Sequence, residues 1–233
     1  MSVAARLVEV HSAIARAARA AGRDPASVKL VAVSKTKPVE AVRAAYAAGQ
    51  RAFGENYAQE LAAKAEALAD LQGIEWHFIG HLQSNKAKIA AKHAHVVHTV
   101  DSTALARELG KRAAKERTSP MPVLIEVNVG GEPQKSGAAP SEIAEVVRAI
   151  QDDPALHLSG LMTVPPAGDL AVAKKTFETL ALLRNLHGGA AVLPELSMGM
   201  TADLDVAIAC GATIVRVGTA VFGERERAPA VAR

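Results

Sequence analysis

The sequence of 233 residues is 49% hydrophobic and 22% charged, which is enough apolar material for one sizeable core. The net charge is only +3 and aromatic residues make up 3%; with scattered basic residues, this argues against a nucleic-acid partner. The single cysteine, Cys210, excludes an internal disulfide framework. Residues 1–23 carry charges throughout and the apolar run 206–215 is too short to cross a bilayer, so we expect a cytoplasmic protein without a membrane segment.

The chain begins with an amphipathic helix and then alternates between short strands and helices. Apolar residues of the first segment recur at helical spacing and the pattern stops at Gly22. Pro38 and Ser102 are suited to the first positions of two of the later helices. The strand-like segments are 28–35, 51–56, 74–80, 96–102, 122–130, 156–164, 194–200 and 212–223.

Strands that alternate with helices predict parallel βα units. Eight such units with right-handed crossovers can close into a barrel. A doubly wound open sheet is the alternative, but its Gly-rich dinucleotide turn after the first strand is missing, and the letters SKTKP stand there instead. We therefore predict an α/β fold in which residues 1–233 form a single (β/α)₈ TIM barrel with an extra N-terminal helix.

The first strand ends at a lysine that we expect to reach the mouth of this barrel. Side chains alternate along a strand, so Val31, Val33 and Lys35 share the interior face. An ammonium group above an apolar core is poorly solvated, which favours the neutral amine that Schiff-base formation requires. The alternative for Lys35 is a side chain that extends to the solvated rim. Lys37 lies past the strand, beside Pro38, and is expected at the rim.

The last two βα connections, LSMGMTADLDVAI and VRVGTAVFG, are suited to a phosphate site. In barrels of this type the phosphate is often bound by the loops after strands seven and eight and by a nearby helix N-terminus. Gly199 and Gly218 allow close approach of the backbone to an anion, and a helix is expected to start near Thr201. Tight turns without a ligand would use the same small residues. Together with Lys35, these loops suit a phosphorylated aldehyde, either pyridoxal 5′-phosphate (PLP) or a sugar phosphate.

The motifs VAVSKTKP, FGENYAQE, WHFIGHLQSNK, LSMGMTADLDVAI and VRVGTAVFG together resemble the YggS/PROSC family of PLP-binding proteins. That family is similar in fold to the barrel of bacterial alanine racemase. The resemblance implies that Lys35 carries PLP as a Schiff base and that Arg216 faces the pyridine nitrogen. It also implies a phosphate site and a pocket wall. The phosphate residues would be Ser197, Gly218 and Thr219, and the wall residues Asn56, His81 and Met198.

The resemblance further implies a role in PLP and amino-acid homeostasis, with PLP-dependent apo-enzymes as candidate partners. An arginine does not readily protonate the ring nitrogen, which weakens the ring as an electron sink. Racemases of this fold add a tyrosine from a second domain, for which we expect no counterpart, so we expect a non-catalytic monomer. Two alternatives stay open: an active PLP-dependent racemase or lyase of small amino acids, with Tyr57 or a solvent-exposed group as the second acid/base, and a cofactor-free Schiff-base aldolase of a sugar phosphate. A metal site is not expected at His77 and His81, and the histidine-rich start of strand four, including His98, is expected to be solvated.

Overall fold

The computed structural model describes residues 1–132 and 134–224, in which eight parallel strands form a closed barrel in the order β1 to β8. Pro133 and the last nine residues of the predicted 1–233 domain lie outside the described residues. The strands are β1 Lys29–Val33, β2 Ala52–Glu55, β3 Glu75–Phe78, β4 Val96–Val100, β5 Met121–Glu126, β6 Leu156–Met162, β7 Glu195–Ser197 and β8 Ile214–Val217.

Ten α-helices of the described residues surround the barrel. Ser102 accepts a hydrogen bond from the Leu105 amide and so begins α5, as its residue type predicts. The helices are α1 Val3–Ala20, α2 Val39–Ala47, α3 Ala58–Ala67, α4 Ala87–His93, α5 Thr103–Glu116, α6 Ile143–Gln151, α7 Leu170–Leu186, α8 Gly189–Val192, α9 Leu204–Ala209 and α10 Thr219–Phe222. Short 3₁₀ turns lie at Pro25–Ser27, Ser84–Lys86 and Pro140–Glu142.

The barrel and the N-terminal helix confirm the predicted fold class. Each predicted strand segment overlaps one observed strand, and only β5 starts outside its segment, by one residue at Met121. Alternation and turn residues mark strand positions well even where they overstate strand length. The clearest difference is the eighth segment, predicted as strand over 212–223. There β8 ends at Val217, and Thr219–Phe222 form the helical turn α10 after Gly218.

Two apolar layers fill the fold. The larger lies between the strands and the helices, and it includes Leu30, Ala32 and Phe53. The smaller, inside the barrel, consists of Val31, Ala52 and Ile214. Val31 thus lies on the interior face and Ala32 on the helix face, as strand alternation requires. Among the described residues, none of the helices is both long enough and apolar enough to cross a membrane.

Candidate functional site

Lys35 follows β1 by two residues, above the interior-facing positions Val31 and Val33. Val31 pairs in register with Arg216 of β8, and Val33 pairs with Gly54 of β2. A Cβ atom on Gly218 would lie 3.3 Å from the Val33 carbonyl oxygen, so the end of β8 is next to the top of β1. Lys35 is half-buried. The first strand therefore passes Arg216 at Val31 and ends next to Gly218.

A buried ion cluster supports the loop that carries Lys35. The Lys64 ammonium of α3 donates hydrogen bonds to the Ser34 carbonyl oxygen at 2.6 Å and to the Glu55 and Glu60 carboxylates at 2.7 Å each. The Ser34 hydroxyl also donates to Glu55 at 2.7 Å. Thr36 has a left-handed backbone, with φ of 63°, and its amide donates to Glu60 at 2.6 Å. These bonds fix the backbone on both sides of Lys35.

The burial of this cluster has an electrostatic consequence. Glu55 is fully buried, and the side chain of Lys64 is only 5% exposed. Burial raises the pKa of Glu55, while Lys64 opposes that rise. The cluster was not predicted from sequence. The sequence feature that could have indicated it is the position of Lys64, three residues after Leu61 and four before Leu68. This spacing places a lysine on the apolar face of α3.

Lys37 occupies a different environment from Lys35. Its amide donates to the Ser34 carbonyl oxygen at 3.0 Å, which closes the turn after β1. Its ammonium donates to the Glu224 carbonyl oxygen at 2.8 Å. The two lysines of the SKTKP segment are therefore not equivalent, and Lys37 contacts the chain after α10.

Arg216 is the buried cation of the barrel interior and is only 4% exposed. Its Nη1 donates to the Ser197 hydroxyl at 2.7 Å, and its Nη2 donates to the Thr163 carbonyl oxygen at 3.0 Å. Burial lowers its pKa to about 10, against the opposing carboxylates of Glu126 and Asp203. The guanidinium is thus charged at neutral pH and retains donors beyond the two that these bonds use.

Ser197 differs from the expectation that its hydroxyl contacts a phosphate. The side chain is fully buried, and its oxygen lies 2.8 Å from Nδ1 of His98 as well as 2.7 Å from Arg216. Both polar directions of the hydroxyl are used inside the barrel. His98 is itself fully buried, so its expected exposure to solvent is wrong. The reason is that His98 lies in the middle of β4 on the interior face, not in the loop before the strand.

The loops after β7 and β8 carry the small residues of the expected phosphate site. Gly199 has φ of 93° and its Cβ would clash with Ala207, so no larger residue fits there. Thr219 is exposed and begins α10, whose first amides lack helical acceptors. The helix expected near Thr201 begins instead at Leu204. Asp203 precedes it and accepts from the Met200 amide at 2.5 Å, which places a carboxylate where an anion was expected.

A cavity of about 240 Å³ lies where β2, β3, β5 and β6 end and is lined in part by Asn56, His81 and Glu126, whereas Lys35, Arg216 and the loops after β7 and β8 do not line it. Oδ1 of Asn56 and Oε2 of Glu126 are buried there without a hydrogen-bond partner. Burial and the nearby Asp101 raise the pKa of Glu126 to about 7, although Arg216 opposes the rise. Unpaired buried oxygens beside a cavity are suited to a polar ligand. Glu126 was missed by the sequence analysis, although an acidic residue at the end of a buried strand is a usable signal.

The remaining predicted residues differ in exposure. His81 has a side chain that is 55% exposed and lies 3.1 Å from the Ser136 hydroxyl and 3.6 Å from Asp101. Met198 is fully buried among the residues between strands and helices, so only its main chain is near the mouth. Tyr57 precedes α3 and is 58% exposed. Within residues 1–132 and 134–224, no group of three His, Cys, Asp or Glu side chains could hold a metal ion.

Comparison with known proteins places this barrel in a family. The model of the alanine racemase N-terminal domain matches residues 9–226. The pyridoxal phosphate homeostasis protein of Pseudomonas aeruginosa is 47% identical over 227 residues, which cover 97% of this chain and 96% of that protein. The chain belongs to the pyridoxal phosphate homeostasis protein family. Another member, from Escherichia coli, is 41% identical over 231 residues and covers 96% of this chain and 97% of its own.

Solved structures agree with the family and the fold. PipY of Synechococcus elongatus, solved with PLP bound, has a TM-score of 0.82 and 37% identity, and the match covers 95% of this chain and all of that one. Alanine racemase from E. faecalis has a TM-score of 0.69 at 18% identity. That match covers 92% of this chain and 58% of the racemase, and it supports the barrel fold alone. This member of the pyridoxal phosphate homeostasis protein family is thus similar to PipY in both sequence and fold, and to the racemase in fold alone.

Proposed function

We propose that this protein binds PLP as a Schiff base on Lys35 and acts in PLP and amino-acid homeostasis, without completing a reaction on amino acids. The observation that supports the proposal is the arrangement of β1 and its neighbour β8: Lys35 follows β1, the buried Arg216 pairs with Val31 below it, and a Cβ on Gly218 would lie 3.3 Å from the Val33 carbonyl oxygen. The names of its relatives and the PLP-bound PipY support it.

The residues at the mouth fit the chemical parts of PLP. Arg216, with donors left over from its bonds to Ser197 and Thr163, suits the lone pair of a pyridine nitrogen. Gly218 and the exposed Thr219 suit a phosphate through main-chain amides and a hydroxyl. Asn56, with its unpaired Oδ1, suits a donor group on the ring or its substituents. Met198 would contribute through its main chain.

Each of these residues has a defined task in the proposal. When bound, PLP supplies an aldehyde that condenses with a primary amine and a ring that withdraws electrons. Lys35 would hold the aldehyde carbon, and the ion cluster of Glu55, Glu60 and Lys64 keeps the loop of that lysine in place. With a pKa of about 10, the Arg216 guanidinium keeps its protons at neutral pH. It therefore donates a hydrogen bond to the ring nitrogen and leaves that nitrogen unprotonated. His81, exposed at the rim, would border the entrance.

The site assignment is tested by reduction and mapping. Protein loaded with PLP and treated with borohydride should carry the pyridoxyl group on Lys35, found by peptide mass spectrometry. Lys35→Ala should abolish the visible absorbance, whereas the matched control Lys37→Ala should retain it, because Lys37 contacts the Glu224 carbonyl and lies outside the mouth. A pyridoxyl group on Lys37, or on no lysine, would overturn the assignment.

Two further measurements test the non-catalytic role. Holoprotein incubated with single L-amino acids in deuterated water should leave the α-proton in place by NMR, because Tyr57 is exposed and precedes α3. Enzyme-like exchange that Tyr57→Phe abolishes would instead support the racemase or lyase alternative. We also propose that PLP-dependent apo-enzymes receive PLP from this protein. Activation of an apo-enzyme by holoprotein at free PLP too low to activate it directly would support this transfer, and equal rates with free PLP would contradict it.

A further inference from the structure

A continuous row of polar side chains runs through the barrel interior below Arg216. Nδ1 of His98 lies 2.8 Å from the Ser197 hydroxyl, and Nε2 of His98 lies 2.8 Å from Nδ1 of His77. Nε2 of His77 is 3.3 Å from a carboxylate oxygen of Glu75. Both histidines are buried, with exposures of 1% for His77 and 0% for His98. Neither was expected to have a role near the candidate site.

The arginine at the top sets the direction of every hydrogen bond in this row. A guanidinium only donates, so the Ser197 oxygen accepts from Arg216 and its own hydrogen is free for Nδ1 of His98. Because a neutral imidazole has one donor and one acceptor nitrogen, His98 then donates from Nε2 to Nδ1 of His77. His77 then carries its hydrogen on Nε2, which lies 3.3 Å from a Glu75 carboxylate oxygen, within reach of its charge but without hydrogen-bond geometry. Any other tautomer of His98 leaves the Ser197 hydrogen without an acceptor.

Burial is the main reason why both histidines favour the neutral form. Burial lowers the pKa of His98 well below its ordinary value, and His77, Arg216 and Lys29 lower it further. Burial also lowers the pKa of His77, where Glu75 and Glu195 oppose the effect and Lys29 reinforces it. A second positive charge beside Arg216 would also end the donor sequence, because an imidazolium only donates. The neutral state is therefore the one that the hydrogen-bond geometry needs.

We propose that His98 is a positioning residue, which acts through Ser197 to hold the Arg216 guanidinium where a pyridine nitrogen is bound. The ligand part of this inference rests on the proposed function, whereas the tautomer part concerns the protein alone. His77 and Glu75 extend the support to the base of the barrel, where the side chain of Glu75 is 32% exposed and Lys29 lies 3.2 Å from it. In this proposal the Ser197 hydroxyl belongs to the support of Arg216.

The first test needs no ligand. Long-range ¹H–¹⁵N NMR of the apoprotein at pH 7 should show His77 and His98 as neutral Nε2–H tautomers, with the His98 signal identified by its loss in His98→Asn. A Nδ1–H tautomer at His98, or protonation at the pH of an ordinary histidine, would overturn the inference. This result stands whether or not PLP binds to Lys35.

The second test compares two variants that leave similar space. Asparagine carries its amide oxygen on Cγ, as histidine carries Nδ1, so His98→Asn keeps an acceptor for Ser197, and His98→Leu does not. We expect His98→Leu to bind PLP about tenfold more weakly, since a bond to a charged group is disturbed, and to shift the visible absorbance. His98→Asn should retain most of the wild-type PLP affinity and the wild-type visible absorbance. His157→Asn, at an exposed position of β6, should match the wild type.

The outcomes separate the two proposals. Equal affinity and spectrum for His98→Leu and the wild type would refute the positioning role. Equal losses in His98→Leu and His98→Asn would also refute it, because a general packing defect does not distinguish the acceptor. Failure of the wild type to bind PLP on Lys35 would refute the proposed function, and the NMR tautomers would still decide the inference.

Discussion

Replacement of Lys64 by methionine should destabilise the protein strongly, because it removes the central cation of the ion cluster beneath Lys35. The Lys64 ammonium donates to the Ser34 carbonyl oxygen and to the carboxylates of Glu55 and Glu60, at distances of 2.6 to 2.7 Å. Without it, the fully buried carboxylate of Glu55 keeps the Ser34 hydroxyl as its one donor among the residues that the structure describes. Removing one partner of a buried ion pair costs about 3–5 kcal/mol of unfolding free energy.

The unfolding free energy lost in Lys64→Met should be larger at high pH than at low pH. The pKa of Glu55 is raised by burial even with Lys64 present, and removal of the ammonium raises it further. A carboxyl group whose folded pKa is raised favours the folded state below its unfolded pKa and loses that contribution as the pH rises through the folded value. Lys64→Met should therefore lose more stability at pH 8 than at pH 5, by up to about 1.4 kcal/mol per pH unit within that window.

Urea unfolding followed by circular dichroism at pH 5 and pH 8 measures both effects. Glu55→Gln combined with Lys64→Met should recover much of the loss, because it removes the uncompensated charge as well as its partner. Lys111→Met, at an exposed position of α5, is the matched control and should change stability by less than about 0.5 kcal/mol. A loss below about 1 kcal/mol for Lys64→Met, or a double variant no more stable than the single one, would refute the reasoning.

Three further predictions concern the barrel interior and its mouth. The unfolding free energy of the wild type should fall more steeply below pH 6.5 than that of His98→Gln, by up to about 1.4 kcal/mol per pH unit in urea titrations, because the unfolded state binds a proton that folded His98 excludes. Because the folded pKa of Glu126 is about 7, its charged form destabilises the wild type at high pH, and Glu126→Gln should be the more stable protein at pH 8.5. The gain should reach up to about 3 kcal/mol, reduced by the attraction to Arg216 that the variant loses. Thermal melting should show equal stability of the two proteins at pH 4, where Glu126 is protonated. Gly80→Ala should lower the melting temperature and weaken PLP binding, because its Cβ would lie 2.1 Å from the Asn56 carbonyl oxygen.

The fold could be predicted because its signals are local. Strand alternation and turn residues positioned all eight strands, and the same alternation gave the interior face of Val31. The rule that functional residues of such barrels follow the strands then selected Lys35 and Gly218. Strand ends were less predictable: Thr219 begins a helical turn because the chain after Gly218 leaves the sheet, and the hydrophobic pattern of TAVF does not distinguish the two.

The supports of the candidate site could not be predicted, because their partners are distant in sequence. Ser197 contacts a histidine that precedes it by 99 positions, and Lys64 contacts Ser34 across 30 positions. A hydroxyl after a strand looks the same in sequence whether it faces a phosphate above or an arginine inside the barrel. Only the three-dimensional neighbours of Ser197 separate these roles.

The polar interior also has an energetic requirement that a sequence pattern does not display. A buried guanidinium is costly unless its donors are satisfied, and Ser197 and the Thr163 carbonyl satisfy two of the donors of Arg216. Ser197 can serve Arg216 only if its own hydrogen finds an acceptor, which His98 provides. Since each member depends on the next, loss of the acceptor nitrogen at His98 should act at Arg216 through the Ser197 hydroxyl that lies between them. The presence of His98 inside an apolar strand is thus explained by Arg216, to which two successive hydrogen bonds connect it through Ser197.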